Sequence, residues 1–259
     1  MNPQFFGTAE RSLYGVYHPP RARVAKRTGV VCCYPFGQEY MRSHRAFRQL
    51  ASLLTRAGFH LFRFDYTATG DSAGDSREVS LADWREDIGH AIDELKAMAE
   101  VERVALVGLR IGGTLAAQVA AEREDVAQVV LWDPVVRGSE YVAELLAASD
   151  DVQAGRPSGP EHTVGVMGFP MTPAFRGELT AIDVPTAPPA VSARTLLVVS
   201  AERPEFAALA QAMTQRGTRV VTQLVPSPGN WGEVDDNGSA LIPVALIQAI
   251  VQDLTTECA

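Results

Sequence analysis

The chain has 259 residues, with 23 Lys+Arg against 31 Asp+Glu and a formal net charge of −8. A surface this acidic repels phosphate backbones, which excludes nucleic-acid binding, while 46% hydrophobic and 21% charged residues are enough for one large buried core and exclude disordered and fibrous classes. No run of 18 apolar residues reads as a membrane span, and Met1–Gly7 has neither the basic nor the apolar part of a secretion signal. Three cysteines, two of them adjacent (Cys32 and Cys33), form neither a disulfide framework nor a metal-type spacing. These features lead us to expect a cytoplasmic protein with no cofactor and no metal, of unspecified oligomeric state.

Apolar runs of five to seven residues alternate with segments of helical period, the pattern of βα units on a mostly parallel sheet. Ser12–His18 and Thr28–Tyr34 flank a basic, proline-containing turn, which predicts an antiparallel start. His60–Asp65, Val104–Gly108, Val126–Trp132, Thr195–Ser200 and Arg219–Leu224 follow as buried strands. Leu81, Trp84, Ile88, Ala91, Ile92 and Leu95 share one helical stripe, Phe206, Leu209 and Met213 form another after Pro204, and Ala240–Leu254 closes the chain as an apolar helix. The proline-rich stretch Ala148–Val191 interrupts the alternation, and we read it as a small cap inserted in a single domain spanning 1–259.

The most informative segment is Val104-Ala-Leu-Val-Gly-Leu-Arg-Ile-Gly-Gly-Thr114, a strand followed by a glycine-flanked bend and a small-residue helix. Such a bend forces its middle residue, here Arg110, out at the carboxyl end of the sheet. It is neither G-x-G-x-x-G nor a P-loop. Together with Tyr34-Pro-Phe-Gly-Gln-Glu39 after an early strand and Asp65-Tyr-Thr-Ala-Thr-Gly-Asp-Ser72, this segment resembles the α/β-hydrolase family. In that family the three segments are the nucleophile elbow, the oxyanion loop and, with one departure here, a D-x-x-G-x-G-x-S turn. A closer resemblance is to hydrolase-like proteins associated with exosortase A systems, carried by Pro35–Glu39, Gly-Leu-Arg-x-Gly at 108–112 and Trp231 in a late loop.

The resemblance implies an α/β-hydrolase fold with helices flanking the sheet, and it also implies a Ser–His–acid triad whose three positions are all replaced. Arg110 stands at the nucleophile, and a guanidinium offers no attacking lone pair. No histidine follows His162, so Trp231 occupies the loop of the histidine, and Pro204 aligns with the acid. Serine-hydrolase chemistry is therefore not expected.

A cation at a helix N-terminus needs an anion nearby. For Arg110 that anion is either a ligand carboxylate, phosphate or acyl oxygen, or an internal partner, Asp133 or Glu39. Asp133, ending a strand at the crevice where open α/β sheets bind ligands, is a base or a partner of Arg110. Glu39 is an acid–base group or a partner of Arg42 or Arg45. Backbone N–H groups near Phe36 and of Ile111 fall at the oxyanion positions, with Gly37 and Gln38 beside them. Trp231 is a ligand wall or packing, and Tyr66 and Asn230 are further wall candidates. Cys33 is read as a structural thiol, and Asp65, Asp71 and Asp75 as turn residues rather than metal ligands.

Three functional readings follow. The first is a pocket protein that binds an anionic or acyl-type small molecule, or a partner protein, without hydrolysing it. The second is a non-hydrolytic enzyme (cyclase, lyase or acyl transferase) using the oxyanion hole with Arg110 and Glu39 or Asp133. The third is a hydrolase with a relocated triad, which would need His44 or His162 beside a nucleophile.

Overall fold

The computed structural model describes residues 1–150, 163–166, 168–227, 231 and 242–258. Ten strands and seven helices lie among them: β1 (Asn2–Gly7), β2 (Ser12–His18), β3 (Thr28–Cys33), α1 (Gly37–Arg56), β4 (His60–Phe64), α2 (Leu81–Ala99), β5 (Arg103–Leu109), α3 (Ile111–Glu122), β6 (Val126–Trp132), α4 (Gly138–Asp150), β7 (Val164–Val166), β8 (Phe169–Met171), α5 (Pro173–Thr180), β9 (Arg194–Val199), α6 (Pro204–Gln215), β10 (Val220–Leu224) and α7 (Val244–Glu257). Eight strands form one sheet in the order β1-β2-β4-β3-β5-β6-β9-β10, parallel from β4 to β10.

The start of the sheet differs from the sequence reading. β2 pairs antiparallel with β1 and β4, not with β3, and β1 was not anticipated. The connection between β2 and β3 forms no hairpin because it is tied elsewhere: the Arg21 N–H donates to the Thr55 carbonyl and the Lys26 N–H to that of Gly58, both at the end of α1. Aromatic packing seals the alternative pairing. Phe6 of β1 meets Phe62 of β4 edge to face at 5.0 Å, and Gly15 of β2 leaves room for the Phe62 ring.

The helices obey the predicted stripes. In α2 the buried face is Leu81, Trp84, Ile88, Ala91, Ile92 and Leu95, with Asp87 as an unforeseen member, and the helix opens on a full capping box between Ser80 and Asp83. Pro204 starts α6, which buries Phe206, Leu209 and Met213. α1 packs on α7 and α2 on α3, giving the helical layers that cover β3 to β6. Among the described residues no helix is long and apolar enough to cross a membrane.

Within 148–191 the described residues include the end of α4, the β7–β8 hairpin and α5, whose Thr172 side chain caps its own first turn at Phe175. Residues 151–162 and 167 of that stretch, with His162, lie outside the described residues. The strand order reverses at β3, which lies between β4 and β5, so a crevice opens where the carboxyl ends of β3 and β5 diverge into their loops. The Tyr34–Phe36 loop and Arg110 both stand there.

Candidate functional site

The bend at Arg110 is built by its neighbours rather than by its own side chain. A Cβ at Gly108 would strike the backbone of Gly112 and Gly113, and one at Gly112 would strike the carbonyls of Cys33 and Tyr34. Only glycine at both positions lets β5, α3 and the loop after β3 close on one another. Arg110 is held at φ 53, ψ −124, a conformation rare for a side-chain-bearing residue. Main-chain bonds fix it: its N–H donates to Trp132 O at 3.0 Å, and its carbonyl accepts from Gly113 at 3.0 Å and Val135 at 3.3 Å.

The guanidinium is buried, at 8% exposure for the residue, and its anion is internal. Nε donates to Glu39 Oε1 at 2.8 Å and Nη2 to Glu144 Oε2 at 2.6 Å. The Tyr141 ring lies 5.1 Å from the guanidinium carbon, and its hydroxyl donates to Glu39 Oε2 at 2.7 Å. Glu144 also accepts from Arg203 at 3.3 Å. Burial works against the charge on Arg110, but Glu39, Tyr141 and Glu144 outweigh it, so the group's pKa rises above its ordinary value. Burial and the Glu39 charge push the Tyr141 hydroxyl up as well, keeping it a neutral donor.

Two of the partner assignments considered from sequence are corrected here. Glu39 pairs with Arg110, not with Arg42 or Arg45, because it points from the first turn of α1 across to the elbow. The ion pairs of Arg110 go to Glu39 and Glu144 and not to Asp133. Asp133, at φ 42 after β6, instead accepts from the Ser200 N–H at 2.7 Å and from the Ser200 hydroxyl at 3.0 Å. Its other oxygen is buried, with the Trp231 side chain as a further group that favours the carboxylate. Burial raises the pKa of this carboxyl, while the Ser200 bonds and the Arg110 charge pull against the rise.

Trp231 is buried and meets Trp132 edge to face at 5.5 Å, with its carbonyl accepting from Arg42 at 3.5 Å. Asn230 lies outside the described residues. Ile111 is fully buried at the start of α3. Tyr66, considered as a wall, is instead a core residue stacked on Trp84 at 4.9 Å with a buried, unpartnered hydroxyl. Burial pushes the Cys32 thiol up to about 12 and raises that of Cys33 further, so neither is a thiolate nucleophile. His44 stacks on Tyr34 at 6.4 Å, with no serine or cysteine hydrogen-bonded to it among the described residues. Asp65 braces its turn, accepting from the Tyr40 hydroxyl at 2.7 Å and the Asp71 N–H at 3.1 Å. Among the described residues no three His, Cys, Asp or Glu side chains are grouped to hold a metal.

A cavity of about 280 Å³ opens against the loop after β3. Phe36 and Gly37 of the loop line it, as expected, but Gln38 and Arg110 do not. Its walls include Trp84, Val79, Phe169 and Phe175, so β8, α5 and α2 supply an aromatic, apolar lining that the motifs do not signal. Tyr141 and Glu144 were missed too. Their i, i+3 spacing on a helix just beyond Asp133-Pro134 was the available signal, since it puts both on one face near the elbow.

A family model described as serine aminopeptidase, S33, matches residues 38–155, under half of the chain. No curated protein sequence matches. Among solved structures, Est1E from Butyrivibrio proteoclasticus with bound ferulic acid superimposes with a TM-score of 0.69 at 16% identity, covering 98% of each chain. An esterase of Pyrococcus furiosus gives 0.68 at 13% identity over 98% of this chain and 87% of that one. The proline iminopeptidase of Mycobacterium smegmatis gives 0.66 at 13% identity over 99% of both. With the strand order and the glycine-built bend already in place, these likenesses establish that the chain has the α/β-hydrolase fold.

Proposed function

We propose that this protein binds an acyl-type small molecule on an α/β-hydrolase scaffold without hydrolysing it, as a member of the exosortase-associated subgroup with Gly-Leu-Arg-x-Gly at the elbow. One observation carries the reading: the elbow side chain is a buried guanidinium locked between Glu39 and Glu144. A group that is permanently protonated and doubly paired cannot attack a carbonyl, and its charge is already satisfied. The ligand is accordingly neutral or weakly polar where it meets the protein, held by the apolar cavity of Phe36, Trp84, Phe169 and Phe175. An anionic head group would have to displace Glu144, the more exposed of the two carboxylates.

The test is direct. The purified protein is expected to resist labelling by a fluorophosphonate and to leave p-nitrophenyl acetate unhydrolysed above buffer. It should bind octanoyl-N-acetylcysteamine in calorimetry, with affinity lost on filling the cavity by Val79→Trp. Serine labelling or turnover would overturn the reading, as would octanoyl binding indifferent to Val79→Trp. The second reading, a non-hydrolytic enzyme, is favoured by one feature, the buried Asp133 carboxyl at the crevice, whose pKa is raised by burial. It requires that Asp133→Asn abolish conversion of a bound thioester while leaving its affinity intact.

A further inference from the structure

Arg63 breaks the apolar run of β4, between Phe62 and Phe64, on a strand flanked by β2 and β3. It is 6% exposed. Its Nε donates to His18 Nε2 at 3.0 Å and its Nη1 to the Tyr34 hydroxyl at 3.0 Å. Both partners are neutral. Burial and the Arg63 charge hold the His18 pKa down at about 4, so that ring is an acceptor and not a second cation at neutral pH. No carboxylate pairs with Arg63 among the described residues, and Nη2 is left without a hydrogen bond. An uncompensated cation this deep is costly to the fold unless something negative visits it.

Arg63 lies on a second, open pocket of about 500 Å³, separate from the apolar cavity except for a shared wall at Tyr40. Tyr14, Tyr34 and Phe64 give it aromatic sides, and Arg48 with His44 stands on the exposed rim. Arg48 has no ion pair among the described residues. Asp65 and Asp71 line it too, the first already engaged by Tyr40 and the Asp71 N–H, and Met1, Pro3 and Val16 close the remaining side.

We propose that this pocket is a binding site for a small organic monocarboxylate, its carboxylate on Arg63 and Arg48 and its apolar body against Tyr14, Tyr34 and Phe64. With Nε and Nη1 engaged by His18 and Tyr34, the free Nη2 is the donor left for one carboxylate oxygen, and Arg48 serves the other. A phosphate dianion fits less well, because Asp65 and Asp71 on the same wall repel added negative charge. The site is independent of the acyl cavity and of the locked elbow.

Calorimetric titration of the full chain with benzoate, with inorganic phosphate in parallel, tests the assignment. Benzoate should bind saturably and at least tenfold more tightly than phosphate. Arg63→Met should abolish binding, and the exposed Arg48→Ala, which carries no folding risk, should weaken it several-fold. Because Arg63→Met also takes the donors away from His18 Nε2 and the Tyr34 hydroxyl, its Tm is read beside its affinity, and Arg48→Ala carries the test if the methionine variant does not fold. Absence of saturable benzoate binding, a preference for phosphate, or undiminished binding by Arg48→Ala would overturn the proposal. Binding undiminished by both Arg48→Ala and Arg63→Met would place benzoate outside this pocket, in the apolar cavity for example.

Discussion

Arg110→Ala is the perturbation that most directly interrogates the elbow. It strands the Glu39 carboxylate, whose side chain is 3% exposed, with the Tyr141 hydroxyl as its remaining partner. Removing one member of a buried ion pair costs about 3–5 kcal/mol, because the charge left behind stays desolvated. The Glu144 contact adds little, since that side chain is 42% exposed and screened by water. At about 2–4 °C per kcal/mol for a chain of this size, Tm should fall by about 6–20 °C. Two further variants separate charge from backbone. Alanine inherits the unfavourable φ of 53, whereas Arg110→Gly relieves it, so the glycine variant should be more stable than the alanine one by about 1 kcal/mol. Combining Arg110→Met with Glu39→Gln removes both charges, keeps an acceptor for Tyr141, and should recover at least half of the loss. Urea unfolding monitored by tryptophan fluorescence reads all of these. A cost below about 1 kcal/mol for Arg110→Ala, or simple additivity in the double variant, would show that the guanidinium is not the electrostatic keystone of the crevice.

Glu144→Ala should cost less than about 1 kcal/mol, and the difference should shrink in high salt, as measured by urea midpoints at two ionic strengths. Gly112→Ala forces a Cβ against the carbonyls of Cys33 and Tyr34 and should prevent recovery of folded monomeric material, whereas Gly177→Ala, which meets nothing within 4 Å, should behave as wild type in size-exclusion chromatography. Burial raises the Asp87 carboxyl to about 6 while burial and the Arg63 charge hold the His18 imidazole down at about 4, so as pH rises from 4 to 6 Asp87 withdraws stability and His18 restores it, each by roughly 3 kcal/mol at most. Unfolding free energy should therefore be nearly flat across that window, and Asp87→Asn should convert it to a steady rise.

Period and glycine chemistry made most of the architecture readable in the residues. The stripes of α2 and α6, the buried runs of β3, β5, β6 and β9, and the bend at 108–113 all announce themselves locally, because burial of one face imposes a repeat and a crowded crossing imposes glycine. What stayed hidden depends on the third dimension. β1 is a short strand with four of its six positions exposed, so it has little apolar signal and owes its place to pairing with β2. The need of Arg110 for an anion was legible, but the choice between Glu39 and Asp133 rests on where α1 and the end of β6 project, which the sequence pattern does not encode, and the i, i+3 spacing of Tyr141 and Glu144 signals a shared face without naming what that face meets. The cavity lining was the least visible, since Phe169 and Phe175 come from the short elements β8 and α5 and Trp84 from a helix whose stripe reads as ordinary core.

The elbow's shape is independent of the residue it presents. The bonds that hold residue 110 are main-chain bonds to Trp132, Gly113 and Val135, and the close approach is made by Gly108 and Gly112. A hydroxyl can therefore give way to a guanidinium without dismantling the bend, provided that a carboxylate is brought in to meet it. Glu39 meets it from a position two residues beyond Gly37, which lines the apolar cavity, so the loop that walls the cavity is the loop anchored by the ion pair. It follows that Arg110→Ala should weaken octanoyl-N-acetylcysteamine binding although Arg110 itself does not line the cavity, and that bound ligand should raise Tm less in this variant than in the wild-type protein. Equal affinities in the two proteins would mean that the loop keeps its shape through the Phe36 and Phe175 contact alone and that lock and pocket are mechanically separate.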